Sequence, residues 1–172
     1  MPYKKLFIPG PTHVRDEILH AQAAPMIGHR MKEYTDLQGA ITPKLQQLLY
    51  TQQPVLIFAS SSTGVMEGAI RNCVASKCLN TVCGEFSRRW AQITEANGKA
   101  ADVFTVDAGQ AITPEMVDAE LAKGGYDSVT VVHNETSTGV MNPIAEIGAL
   151  IREKYPDVIY MVDAVSSMAG AK

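Results

Sequence analysis

Along the first fifty residues the apolar positions are sparse and are broken by proline and glycine. Tyr3 to Val14 carries Pro9-Gly10-Pro11 and reads as a rigid, non-helical loop. Asp16 to Ala24 reads as a short helix, and Pro25 to Arg30 as a second loop. Tyr34, Leu37, Ile41, Leu45 and Leu48 step by three or four, which predicts an amphipathic helix over Tyr34 to Tyr50 that Pro43 kinks or splits. From residue 51 the pattern changes. Val55–Ala59 is a continuous apolar run of strand length, Ser60 to Gly64 is small and polar, and Met66, Ile70 and Val74 then repeat every four residues.

A regular alternation follows. A helix is expected over Val65–Ser76, a strand over Leu79–Cys83 and a helix over Phe86–Asn97 with Gly98 as its stop. A strand over Ala101–Val106 precedes a helix opened by Thr113-Pro114 and closed by Gly124-Gly125. Strand Ser128–His133, helix Ile144–Lys154 behind Asn142-Pro143, and a fifth strand Val158–Val162 complete the series. The strands are apolar without clean alternation, so both of their faces should be covered. Strand–helix repetition of this kind predicts an α/β fold: a mostly parallel sheet with helices on both faces and right-handed crossovers. The chain thus divides into N-terminal loops and helices, 1–50, and an alternating region, 51–172.

Composition narrows the function little. With 46% hydrophobic and 19% charged residues the chain is an ordinary globular one. A net charge of −3 gives no reason to expect nucleic acid or an anionic membrane as partner. No apolar run of about 18 residues exists for a spanning helix, and the N-terminus lacks the apolar core of a secretory signal. Cys73, Cys78 and Cys83 match no common zinc spacing, and their odd number argues against a disulfide framework. All three read as reduced packing residues of a cytoplasmic protein.

Ligands of parallel sheets gather at the carboxyl ends of the strands. Three unusual segments are expected there: Ser60–Gly64, Asn134–Gly139 and Asp163–Ser167. A strand that breaks into a hydroxyl-rich turn and opens a helix builds an anion site from unpaired N–H groups and the helix dipole. Capping by Ser62 or Thr63 explains the same residues equally well. Asp163 is either a cap or a charge aimed into the crevice, and Phe86 and Trp90 are either core aromatics or a stacking surface. Together these segments offer a phosphate seat, a stacking aromatic, hydroxyl donors and a carboxylate. That set suits a phosphorylated, flat, cationic heteroaromatic ring such as pyridoxal 5′-phosphate, whose ring nitrogen a carboxylate keeps protonated.

Five segments, in order, resemble the class-V aminotransferases. They are Pro9-Gly10-Pro11-Thr12, Gly28-His29-Arg30, Ser62-Thr63-Gly64 with Glu67, Glu135-Thr-Ser-Thr-Gly139 and Asp163-Ala-Val-Ser-Ser167. The sequence is most similar to the alanine–glyoxylate, serine–glyoxylate and serine–pyruvate branch. The resemblance implies an incomplete fold-type I large domain that binds pyridoxal 5′-phosphate. It implies that Ser62, Thr63 and Gly64 hold the phosphate, Phe86 stacks on the ring, Thr136 bonds near the phenolic oxygen, Asp163 meets the ring nitrogen and Val165 packs on the other ring face. Gly10 would line the substrate pocket, with His29 and Arg30 nearby. The implied reaction moves an amino group from alanine or serine to glyoxylate or pyruvate, in a homodimer.

The family's Schiff-base lysine has no counterpart here, because Lys172 follows Asp163 by only nine residues and reads as a solvated terminal lysine. The expectation is therefore a chain that carries the phosphate- and ring-binding half and has no normal turnover alone. Its remaining half would belong to a longer parent or to a second polypeptide. A non-catalytic binding fragment and a lyase of the same family are the alternatives. A desulfurase would need a reactive cysteine on a late loop, and none is visible. A nucleotide-binding domain is disfavoured, since neither G-x-G-x-x-G nor G-x-x-x-x-G-K-[ST] occurs.

Overall fold

The computed structural model describes residues 4–171, so Tyr3 and Lys172 lie outside the described residues. The chain forms two units, Met1–Ile57 and Phe58–Lys172. The first contains helices α1 (Asp16–Gln22) and α2 (Lys32–Leu48), with Pro43 inside α2. The peptide bond Gly10-Pro11 is cis. None of the described residues of this unit is buried.

The second unit begins with α3 (Ser62–Cys73) and continues β1 (Lys77–Val82), α4 (Glu85–Ala96), β2 (Ala100–Thr105), α5 (Pro114–Leu121) and β3 (Ser128–Val132). The short strands β4 (Asn134–Glu135) and β5 (Val140–Met141) then form an antiparallel hairpin, followed by α6 (Ile144–Lys154) and β6 (Ile159–Asp163). Strands β2-β1-β3-β6 make one four-stranded parallel sheet. The helical expectations hold to within a few residues, and Ile144–Lys154 is met residue for residue. Thr113 caps α5 by accepting from the Met116 N–H, and Gly98 takes the positive φ that ends a helix at glycine.

Side-chain alternation along the strands divides the core into two layers. Leu79, Val129 and Val131 pack against Val117 and Leu121 of α5 and Ile147 and Ile151 of α6. On the opposite face Cys78, Val132 and Met161 pack against Met66 and Ile70 of α3 and Trp90 of α4. Helices cover both faces, as the fold class requires. A buried polar knot sits in the second layer: Asn80 Oδ1 accepts from the Thr94 and Thr130 hydroxyls at 3.2 Å each, which satisfies an amide no water reaches. The three cysteines are free; burial pushes the Cys78 thiol up to about 11.

Three expectations are corrected. Val55–Ala59 is not a strand: among the described residues nothing pairs with it, and Leu56 and Phe58 are 74% and 61% exposed. An apolar run of strand length becomes a strand only where a neighbour supplies the ladder. The parallel sheet therefore has four strands rather than five, and the β4–β5 hairpin takes up the hydroxyl-rich segment that follows β3. Nor are all strands covered on both faces. The central strands β1 and β3 are buried nearly throughout, whereas the edge strands β2 and β6 keep exposed positions, since the helices pack over the middle of the sheet.

Asp127 clamps the amino ends of the strands. Its Oδ2 accepts from the Ser76 and Lys77 N–H groups and the Ser76 hydroxyl. Partial burial opposes ionisation, but these bonds outweigh it and hold the carboxyl below its usual range. Its contribution is therefore present above the unfolded carboxylate value and is lost as pH falls through the lower folded one. Asp127→Asn should lower stability by about 1–2 kcal/mol at neutral pH. Urea unfolding at descending pH should show the gap to wild type closing in acid.

Candidate functional site

Parallel strands place their following loops at one end of the sheet, and three such loops carry the polar residues. Asp163 is the last residue of β6 and lies beside Val132 of β3, whose successor His133 donates its N–H to the Asp163 carbonyl at 2.8 Å. The Asp163 side chain is largely buried. Its Oδ1 accepts from the Val165 N–H at 2.9 Å, and Oδ2 has no hydrogen-bond partner among the described residues. A cavity of about 450 Å³ opens here, within the roughly 300–1,000 Å³ of small-molecule sites. Ser62, Val65, Trp90, Asp163 and Val165 are in its wall.

Ser62 and Asp163, far apart in sequence, thus face one space. Neither Ser62 nor Thr63 is the cap of α3. That place is taken by Ser61, whose Oγ accepts from the Gly64 N–H at 3.4 Å. Ser62 and Thr63 are left in the first helical turn, where N–H groups have no partner four residues back and the helix dipole is positive. A Cβ at Gly64 would meet the Ser60 hydroxyl, which would have to rotate away.

The two aromatics separate in role. Trp90 belongs to the core and lines the cavity, and its buried Nε1 has no hydrogen-bond partner among the described residues. Phe86 is 39% exposed and does not line that cavity. Its neighbour Arg89 lies 5.7 Å from the Phe86 ring centroid and donates from Nη1 to the hydroxyl of Thr63, which follows the lining residue Ser62, at 3.2 Å. Thr136 is not in the cavity wall either. Its hydroxyl donates to Ser166 Oγ at 2.8 Å, and Ser166 also receives Asn134 Nδ2 and donates to the Asn134 carbonyl. Gly10 and His29 are exposed residues of the first unit, whereas every residue lining the cavity belongs to the second.

Glu135 has no role in the sequence reading beyond its place in a motif, yet it is the most tightly held polar side chain of the region. It is fully buried. Five donors converge on it: the N–H groups of Phe86, Ser87 and Ser137 and the hydroxyls of Ser87 and Ser137, at 2.7–3.3 Å. Burial works against its ionisation, but the bonds from Ser137, Ser87 and Phe86 prevail and keep the carboxyl below its ordinary value. Ser137 also accepts from the Glu85 N–H. The amino end of α4 is therefore closed by hydroxyl and carboxylate, and the amino end of α3 is the open one. The signal for Glu135 in the sequence is a carboxylate inside an otherwise hydroxyl-rich turn. Nothing local points to Arg89 or Ser166.

A parallel α/β sheet with helices on both faces and, at its carboxyl ends, a mostly apolar cavity that Ser62 and Asp163 share is an architecture found among the fold-type I aminotransferases. The class-V aminotransferase family model matches residues 13–172, and the chain belongs to that family. It is 43% identical to an uncharacterized aminotransferase of Methanocaldococcus jannaschii, over 97% of this chain and 44% of that protein. Identity to serine–glyoxylate aminotransferase of Hyphomicrobium methylovorum is 35%, over 96% of this chain and 42% of the other. The solved alanine–glyoxylate aminotransferase of a Nostoc species superposes with a TM-score of 0.86 at 25% identity, covering 98% of this chain and 47% of that one. The chain thus spans under half the length of these relatives.

Gly84 is where α4 and the hairpin meet most closely. A Cβ there would lie 2.5 Å from Glu135 Cδ and from Ser137 Oγ. Gly84→Ala should therefore cost about 1–3 kcal/mol, the range for overpacking a filled site. Chemical denaturation should show this as a lower midpoint at unchanged slope.

Proposed function

We propose that this chain supplies the cofactor-binding portion of a pyridoxal-phosphate-dependent aminotransferase. The single observation that supports it best is that Ser62, at the open end of α3, and Asp163, with a free carboxylate oxygen, are in the wall of one cavity. Their chemistry fits the cofactor. A phosphate takes the N–H groups and hydroxyls of Ser62 and Thr63, with Gly64 allowing close approach. The free Asp163 oxygen accepts from a protonated ring nitrogen. When bound, the group supplies an electron sink for chemistry at an amino acid's Cα.

This chain's own residues would bind and orient. Asp163 holds a proton on the ring nitrogen. Phe86, beside the cavity rather than in its wall, would stack on one ring face, and Val165, exposed on the loop after β6, would pack on the other. Thr136 bonds near the phenolic oxygen, steadied by Ser166. The substrates we propose are a small amino acid, alanine or serine, and a 2-oxo acid, glyoxylate or pyruvate, by analogy with the serine–glyoxylate and alanine–glyoxylate relatives. A homodimer is the assembly we propose. It accords with a first unit that buries none of its described residues and leaves Met26 98% exposed. Among the described residues no helix is long and apolar enough to cross a membrane. Free cysteines fit the reducing cytoplasm.

Titration of the chain with pyridoxal 5′-phosphate, followed by absorbance, tests the reading. Asp163→Ala should weaken binding about tenfold or more and shift the spectrum, and Ser62→Ala should weaken it by a smaller factor without the shift. Equal binding by wild type and Asp163→Ala would sink the proposal. No lysine stands between Asp163 and Ala171. The 172-residue polypeptide by itself is accordingly expected to show no steady-state transamination of glyoxylate. Sustained product formation in a coupled assay would contradict that.

A further inference from the structure

We propose that Glu135 is a positioning residue: from the hairpin, its buried carboxylate anchors the first turn of α4 and so sets where the Phe86 ring meets the cofactor. The inference rests on the reading of Phe86 as the stacking residue.

Helix termini are ordinarily capped by a local Ser, Thr, Asp or Asn. Here the cap of α4 comes from 48 and 49 residues further along the chain. Gly84, the residue before the helix, has no side chain to offer. The carboxylate bonds the N–H of Phe86 itself at 3.2 Å and that of Ser87 at 2.8 Å. Ser87 Oγ, while donating to Glu135 at 2.7 Å, accepts from the N–H groups of Cys83 and Gly84 at 3.0 Å. The link therefore runs without a gap from the end of β1 through the first turn of α4 to the hairpin. A buried charge is tolerated only where it is fully paired, and this one is. Its geometry is consequently narrow, and Phe86 inherits that narrowness through its own backbone.

The hairpin has a second set of bonds on its other flank, from Asn134 and Thr136 to Ser166 beside Val165. One four-residue stretch, Asn134 to Ser137, is thereby fixed to the segments carrying both proposed ring-face residues. A role confined to stability would make Glu135 act on folding alone. The positioning role makes it act on the cofactor through Phe86, and that difference is measurable.

The test is a double-mutant cycle on the 172-residue chain, with pyridoxal 5′-phosphate as probe and variants Glu135→Gln, Phe86→Leu and both. Far-UV circular dichroism establishes that each variant is folded. Amide hydrogen exchange at Phe86 and Ser87 and the induced circular dichroism of bound cofactor are read alongside the Kd. Glu135→Gln keeps the shape but loses the charge and one acceptor. We expect exchange at the two amides to rise about tenfold and the Kd to rise about fivefold to tenfold with a reduced induced signal. In the Phe86→Leu background the same change should leave the Kd within about twofold.

A folded Glu135→Gln chain with wild-type Kd and induced signal, or a loss that simply adds to that of Phe86→Leu, overturns the positioning role. If Phe86→Leu itself leaves binding unchanged, the stacking assignment fails and the proposal falls with it. That failure is recognised because it shows in the single Phe86 variant. Should Glu135→Gln not fold, Ser137→Ala takes its place. It removes one hydroxyl from the carboxylate and one acceptor from the Glu85 N–H, and a Kd rise of about twofold to threefold is expected. No change in a folded Ser137→Ala chain overturns the proposal.

Discussion

A carboxylate taken wholly out of water has to find its charge balanced by donors, and in this molecule the donors that balance Glu135 come from two separate segments. Phe86 and Ser87 belong to the first turn of α4, and Ser137 belongs to the hairpin after β3. The cost of leaving any of these groups unsatisfied welds the loop behind β1 to the loop behind β3. The joint lies between the two central strands, β1 and β3, where the strand order places the crevice of a doubly wound sheet. Gly84 belongs to the same constraint, since any side chain there would occupy the space of the carboxylate.

Closing α4 has an electrostatic consequence for the rest of the site. Helices α3 and α4 both begin at this end of the unit, and each presents a positive dipole there. The carboxylate and the Ser137 hydroxyl use up the first-turn donors of α4 and add a negative charge. The first-turn N–H groups of Ser62 and Thr63 at α3 meet no such carboxylate, and Arg89 brings a cation to Thr63. The two carboxylates differ in their surroundings: Glu135 is saturated with hydrogen bonds, whereas one oxygen of Asp163 has no hydrogen-bond partner among the described residues. Membership of the class-V aminotransferases accords with such a division, and the proposed cofactor role follows from chemistry that this unit already displays.

Much of the frame was legible along the chain. Helix Ile144–Lys154 is announced by Asn142-Pro143, and α5 by Thr113-Pro114 at its start. The Ser62–Gly64 turn and Asp163 stood out because polar residues at the ends of apolar runs have few structural uses. Val55–Ala59 misled for the opposite reason. Its composition is that of a buried strand, but strand formation is a property of two segments, and no neighbour pairs with it among the described residues. Phe86 and Trp90 were indistinguishable as a spaced pair, although Trp90 packs in the core and Phe86 stays partly exposed.

Local order, then, was decided by the sequence itself: period, caps, glycine stops and the alternation of strand with helix follow from interactions within a few residues, which a linear reading captures. Tertiary structure alone decided which distant groups meet. Whether Ser61 or Ser62 caps α3, whether Arg89 reaches Thr63, and whether Glu135 closes α4 from 48 residues away all depend on the packing of complete elements against one another. Hydrogen bonds and ion pairing act over a few ångströms, and the residues that come within that reach are set by the sheet's strand order, which no short window of sequence contains.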